Sequence, residues 1–192
     1  EALTKLEDDG LVVVAPQSGR RVVASFGSRD VYEVYTIRAA LEALAFRHAA
    51  GRIPAADLEL IERMVVELEQ HVAAGVSSPE PIGPVEPSPR LKINRLICRS
   101  SGLRHIEPYL ERLWLQTRVL LTHLDRAGIH REVDELPIST EHYRDIVDAL
   151  RRNDADDAEA AIRHHLEARR DRLVAAIDRA GTGWPPNPAA NP

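Results

Sequence analysis

Apolar and polar residues keep a helical rhythm over most of this chain. Val31, Val34, Ile37, Leu41 and Leu44 recur at three- and four-residue spacing and predict a helix over about 30–50. Ser28 or Asp30 is placed to cap it. Leu58, Ile61, Val65 and Leu68 predict a second helix over about 54–74, opening on Pro54. A third starts with Ser88 as N-cap and Pro89 in its first turn, and ends near Gly102. A fourth covers about 103–125, a fifth about 139–152 and a sixth about 155–180. Between them, 73–89 (AAGVSSPEPIGPVEPSP) and 126–137 (RAGIHREVDELP) carry loop residues. The fold class is mainly α: an antiparallel bundle of about six helices over 31–180, followed by a disordered tail over 181–192.

The front of the chain is different. Ala2 to Asp9 read as the end of a helix, with Leu3 and Leu6 on one face and Gly10 as its stop. Two short valine-rich strands follow, LVVV (11–14) and RVVAS (21–25), joined by APQSGR with Gly19 able to take positive φ. FGSRD (26–30) is a hinge. Two strands and part of a helix cannot bury a core alone. Residues 1–25 therefore read as the C-terminal part of a winged helix-turn-helix, and the chain, which begins at Glu1 without a methionine, as a fragment. In that arrangement the helix enters the major groove and the hairpin tip reaches the phosphates or the minor groove. Thr4, Lys5, Gln17, Ser18, Gly19 and Arg20 are the residues placed for DNA, with Arg21 a further cation and the loop offering backbone N–H groups to phosphate.

Composition narrows the picture. The 192 residues are 44% hydrophobic and 29% charged, which is globular, and no apolar run reaches the length of a membrane span. The net charge of −5 argues against bulk nucleic-acid binding but leaves room for a local basic site. One cysteine, Cys98, excludes a disulfide framework and points to a reducing compartment, the cytoplasm. It reads as a small core residue. His48, His105, His123 and His130 lack partners at ligand spacing and read as surface residues, and Trp184 sits in the tail.

EALTKLEDDGLVVVAPQSGRRVVA resembles the end of the DNA-binding domain of the GntR family of bacterial transcription regulators. The remainder resembles the FadR-type effector domain, FCD, of that family. The matching segments are VYEVYTIRAALEALAFRHAA, with Arg38 and Glu42 one turn apart, INRLICRSSG, and EHYRDIVDALRRNDADDAEAAIRHHLEARRDRL. The resemblance implies a homodimer on operator DNA, a small carboxylic acid or similar anion as effector, and no membrane. In many members it further implies a divalent metal, zinc or nickel, held by one Asp and three His.

His142 and His165 fall on two of those histidine positions. Periodicity places His142 with Ile146, Ala149 and Leu150, and His165 with Ile162, Leu166 and Leu173, while His164 points away. The family's Asp falls on Arg90 and its first His on Asn94, so Asn94, His142 and His165 are the remaining metal candidates. Arginine keeps its proton and cannot ligate. Arg90 and Asn94 sit one turn apart, and a guanidinium there would take an effector carboxylate directly, in a two-pronged contact. Arg38 and Arg118 are placed to contribute. The effector candidates are thus Arg38, Arg90, Asn94, Arg118, His142 and His165. Two other functions are open: a helical metal hydrolase, which needs a full ligand set or a nucleophile–base pair not evident here, and a purely structural dimer module. The wing favours the regulator, and the chain is expected not to be an enzyme.

Overall fold

The computed structural model describes residues 2–8, 12–15, 18–24, 27–75, 88–126, 128–129 and 136–180. Gly10, Leu11, Gln17, His130, Trp184, most of the two long loops and the tail lie outside the described residues, as does the side chain of Lys5. A short helix α1 (Ala2–Asp8) leads into an antiparallel hairpin, β1 (Val12–Val14) and β2 (Arg21–Val23), paired in the register Val12 to Val23, Val13 to Val22 and Val14 to Arg21. Six helices follow: α2 (Ser28–Ala49), α3 (Ala55–Ala73), α4 (Pro89–Ser100), α5 (Glu107–Arg126), α6 (Leu136–Arg151) and α7 (Ala155–Arg179). Helices α2 and α7 pack along each other most extensively. Helix α6 lies on α7, α3 on α6, and α4 and α5 on α2.

Local chemistry sets the boundaries. Asp30 accepts a hydrogen bond from the Gly27 N–H at 2.7 Å, so α2 starts at Ser28, inside the expected hinge. Ser88 Oγ caps α4 through the Leu91 N–H at 3.2 Å, and Asp154 caps α7 through the Asp157 N–H at 3.0 Å. Gly102, at φ +72, turns the chain out of α4. Residues 103–106 are not helical, so α5 starts later than expected, and α6 starts earlier because Pro137 fits a first helical turn.

The expected inner face of α2 is corrected. Ile37 is 50% and Leu44 41% exposed, with Val34 and Leu41 half-buried. The buried face runs through Val31, Tyr35, Arg38, Ala39, Glu42, Phe46 and Ala49. Its alanines let α7 approach closely, and a charged pair occupies its middle. Elsewhere the expected stripes are inside: Ile61, Val65 and Leu68 of α3, Ile146 and Leu150 of α6, and Ile162, Leu166 and Leu173 of α7.

Candidate functional site

The centre of the bundle is polar, and Glu42 organises it. Its side chain is fully buried and its two oxygens take three donors. Oε1 accepts from Arg38 Nε at 2.7 Å and from Trp114 Nε1 at 3.0 Å, and Oε2 accepts from Asn94 Nδ2 at 2.8 Å. Asn94 Oδ1 in turn accepts from the Tyr143 hydroxyl at 2.8 Å, and Arg38 Nη1 donates to Thr117 Oγ1 at 3.3 Å. The chain of contacts links α2, α4, α5 and α6. Burial pushes the Tyr143 phenol far up, so it keeps the proton it gives to Asn94.

Helix α7 closes the site. His165 is 1% exposed, with its ring 5.0 Å from Tyr143 and 5.6 Å from His142. Burial, and then the positive charges of Arg169 and Arg90, with smaller effects of His142 and Arg38, hold its pKa well below the usual imidazole range. His142 is half-buried and lowered by burial and by His164, whose exposed ring lies 4.7 Å away. The Nδ1 atoms of both His142 and His165 are buried and have no hydrogen-bond partner among the described residues.

The structure therefore brings together Arg38, Arg90, Asn94, His142 and His165. Arg90 points inward and is buried. Arg118 is half-buried on α5 and is not among the charges acting most strongly on Tyr143 or His165. Sequence reasoning missed Arg169, Tyr143 and Trp114. Arg169 was detectable, because it follows His165 by one helical turn on the buried stripe of α7.

The donor set does not fit the metal that the resemblance implies. The described residues contain no group of three His, Cys, Asp or Glu placed to hold an ion. Both ends of the Asn94 amide are engaged, by Glu42 and Tyr143. The position of the anionic ligand is a buried guanidinium, Arg90. Two imidazoles remain, beside positive charge that repels a cation. Cys98 is buried, and burial raises its thiol pKa well above the ordinary value, which suits a core residue and not a nucleophile. His105 is exposed as expected. His48 and His123 are half-buried, and His123 Nδ1 lies 3.0 Å from the Val119 carbonyl.

At the hairpin, Thr4, Ser18, Gly19 and Arg20 are all exposed. Gly19 has φ +63. The N–H groups of Ser18 and Gly19 both donate to the Ala15 carbonyl, at 3.2 and 2.8 Å, so the turn itself uses the donors expected to face phosphate. Arg21 is tied to Glu7 on α1 by two contacts of 2.7 and 3.2 Å, which leaves Arg20 as the outward cation of the tip.

The FCD domain family matches residues 33–168, the part of the chain that holds this polar centre. This chain belongs to the FCD domain family. The sequence resemblance to GntR-type regulators with an FCD domain is thereby supported. A Bacillus subtilis (strain 168) relative, YdhC, described as an uncharacterized HTH-type transcriptional regulator, is 31% identical over 113 residues, covering 58% of this chain and 47% of that protein. The match thus spans about half the length of this relative. Among solved structures, E. coli McbR/YncC superposes with a TM-score of 0.68 at 22% identity, over 90% of this chain and 81% of that one. Streptococcus agalactiae GntR does so with a TM-score of 0.55 at 18% identity, over 88% and 78%. At those identities the two structures show the fold, mainly helical with a small two-stranded sheet.

Proposed function

We propose that this chain is part of a ligand-responsive, GntR-type transcription regulator of the FadR subfamily. It binds operator DNA as a homodimer in the cytoplasm, and its helical domain takes a small organic acid or similar anion as effector. The observation that carries this reading is the buried, charged centre of the bundle. A domain that only joined two chains has no need of Arg38, Glu42, Arg90, Arg169 and His165 in its core, where apolar residues of similar volume would serve as well. The helix and hairpin ahead of it, with Arg20 outward, support the DNA-binding half. The outward apolar stripe of α2, Ile37 and Leu44, supports self-association. No helix among the described residues is long and apolar enough to cross a membrane. The relative described as an HTH-type transcriptional regulator favours a regulator over an enzyme.

The test uses the full-length gene product and the DNA upstream of its own gene in a mobility-shift assay. Specific binding that organic acids weaken or strengthen supports the proposal. A protein that shifts no DNA, with or without acids, overturns it. An effector can act only through its different affinities for the DNA-competent and incompetent states.

A further inference from the structure

Helix α2 carries apolar residues on two faces. One is the core face through Tyr35, Ala39 and Phe46. The other lies outside: Ile37 is 50% and Leu44 41% exposed, with Ala40 exposed between them. Glu33 and Arg47, both exposed, continue the line at its two ends. The steps from Glu33 through Ile37, Ala40 and Leu44 to Arg47 alternate between four and three residues. That is the narrow seam by which two helices pack, not the broad stripe of a core face. The seam is self-complementary about Ala40, with a large apolar residue on each side of it and charges of opposite sign at the ends. The other large apolar residues exposed on α3, α5 and α6 form no such line. Leu60 and Val66 stand on different faces of α3, and Tyr109 and Ile138 stand one to a helix among the described residues.

We infer that a second copy of this chain docks on the seam with the two α2 helices antiparallel and Ala40 against its own counterpart at the two-fold axis. The inference rests on the homodimer of the reading above and specifies its contact. In this register Ile37 packs on the partner's Leu44 and Glu33 faces the partner's Arg47, and symmetry makes each contact twice. At 1.5 Å per residue Glu33 and Arg47 lie about 10 Å along the helix from Ala40, so long side chains still meet when the axes cross at a shallow angle. The small side chain of Ala40 lets the two backbones approach at the crossing. Glu33 also pairs with Arg29, and Arg47 with Asp156 and Glu159. Those pairs are exposed, so rearranging them costs little. Other arrangements fit less well. A parallel pair sets Glu33 against Glu33 and Arg47 against Arg47. A shift of one step along the antiparallel seam sets Leu44 against Glu33, or Ile37 against Arg47.

The test is disulfide trapping in the whole chain on a Cys98→Ala background, beside sedimentation of the unaltered chain. All substituted seam positions are exposed, and melting curves verify that each variant is folded. Ala40→Cys should give a covalent dimer on mild oxidation, because helices packed at 8–10 Å bring facing Cα atoms within disulfide range. Ile37→Cys alone should stay monomeric on denaturing gels, whereas Ile37→Cys mixed with a tagged Leu44→Cys chain should cross-link. The charges give a second readout. Glu33→Arg and Arg47→Glu should each weaken self-association about tenfold, since each turns two attractive contacts per dimer into repulsive ones. Mixed together, the two variants should pair again, because every contact between unlike chains is then attractive. Cross-linking of Ile37→Cys to itself overturns the antiparallel register. No cross-link at Ala40, with a dimer in sedimentation, overturns the seam and leaves the homodimer reading standing. Ala40→Cys that cross-links in this chain but not in the full-length protein shows the seam covered by a preceding segment, which also overturns it. A monomer at every concentration overturns the seam, and the homodimer reading falls with it if the full-length protein is a monomer too.

Discussion

Glu42 gathers three donors on one buried carboxylate, so its removal should be felt throughout the site. Glu42→Gln keeps the shape but leaves Arg38 charged and without its ion partner. Breaking a buried pair from one side costs about 3–5 kcal/mol, and urea denaturation should show a loss of that order. The exposed pair Arg29–Glu33, at the same spacing on the same helix, is the control, and Glu33→Gln should cost under about 1 kcal/mol. A second prediction concerns His165. In the unfolded chain its imidazole titrates near the ordinary 6.5, and in the folded chain burial, Arg169 and Arg90 hold it well below that. As pH falls through about 6.5 the unfolded state takes up a proton that the folded state refuses. The stabilising effect is therefore complete above that pH and is lost on acidification, with a slope approaching about 1.4 kcal/mol per pH unit. His165→Asn should flatten the curve between about pH 7 and 5, and His142, shifted the same way, supplies part of what remains.

Helix α4 depends on its cap more than most, because Arg90 and Asn94 stand in its first turn and a half. Ser88→Ala removes the hydrogen bond to Leu91 N–H and should lower stability by about 1 kcal/mol, measured by thermal melting. This cap was legible in the sequence, as were the stripes of α3, α6 and α7, because a Ser–Pro start and an unbroken apolar period each have one physical meaning. The inner face of α2 was not. Hydropathy favours Ile37, Leu41 and Leu44, whereas the core selects Arg38 and Glu42, which neutralise each other, and alanines, which admit α7. Arg90 was legible only as a departure from a family pattern, and Arg169 only by asking why a cation follows His165 by one turn.

At the scale of the whole molecule, two of the apolar patches exposed among the described residues lie on different parts of the chain. Leu3, 51% exposed, and Leu6 belong to the helix–hairpin unit, where Arg21 pairs with Glu7 and Arg20 is exposed. In the full-length protein, Arg20→Ala should weaken operator binding at all sequences alike and lower the salt dependence by about one ion per site, read from mobility shifts at several salt concentrations. The stripe of Ile37 and Leu44 on α2 is the reverse face of the helix that carries Arg38 and Glu42. If two copies pair across it, the interface and the buried Arg38–Glu42 pair share one helix. Ile37→Glu with Leu44→Glu places like charges opposite each other across such a pair while leaving every buried residue of α2 in place. Sedimentation should then show a monomer with an unchanged melting curve for its helical core. Operator affinity in the full-length protein should fall steeply, because two linked wings reach paired half-sites with an effective concentration that separate chains lack. Unchanged sedimentation would count against self-association through this stripe.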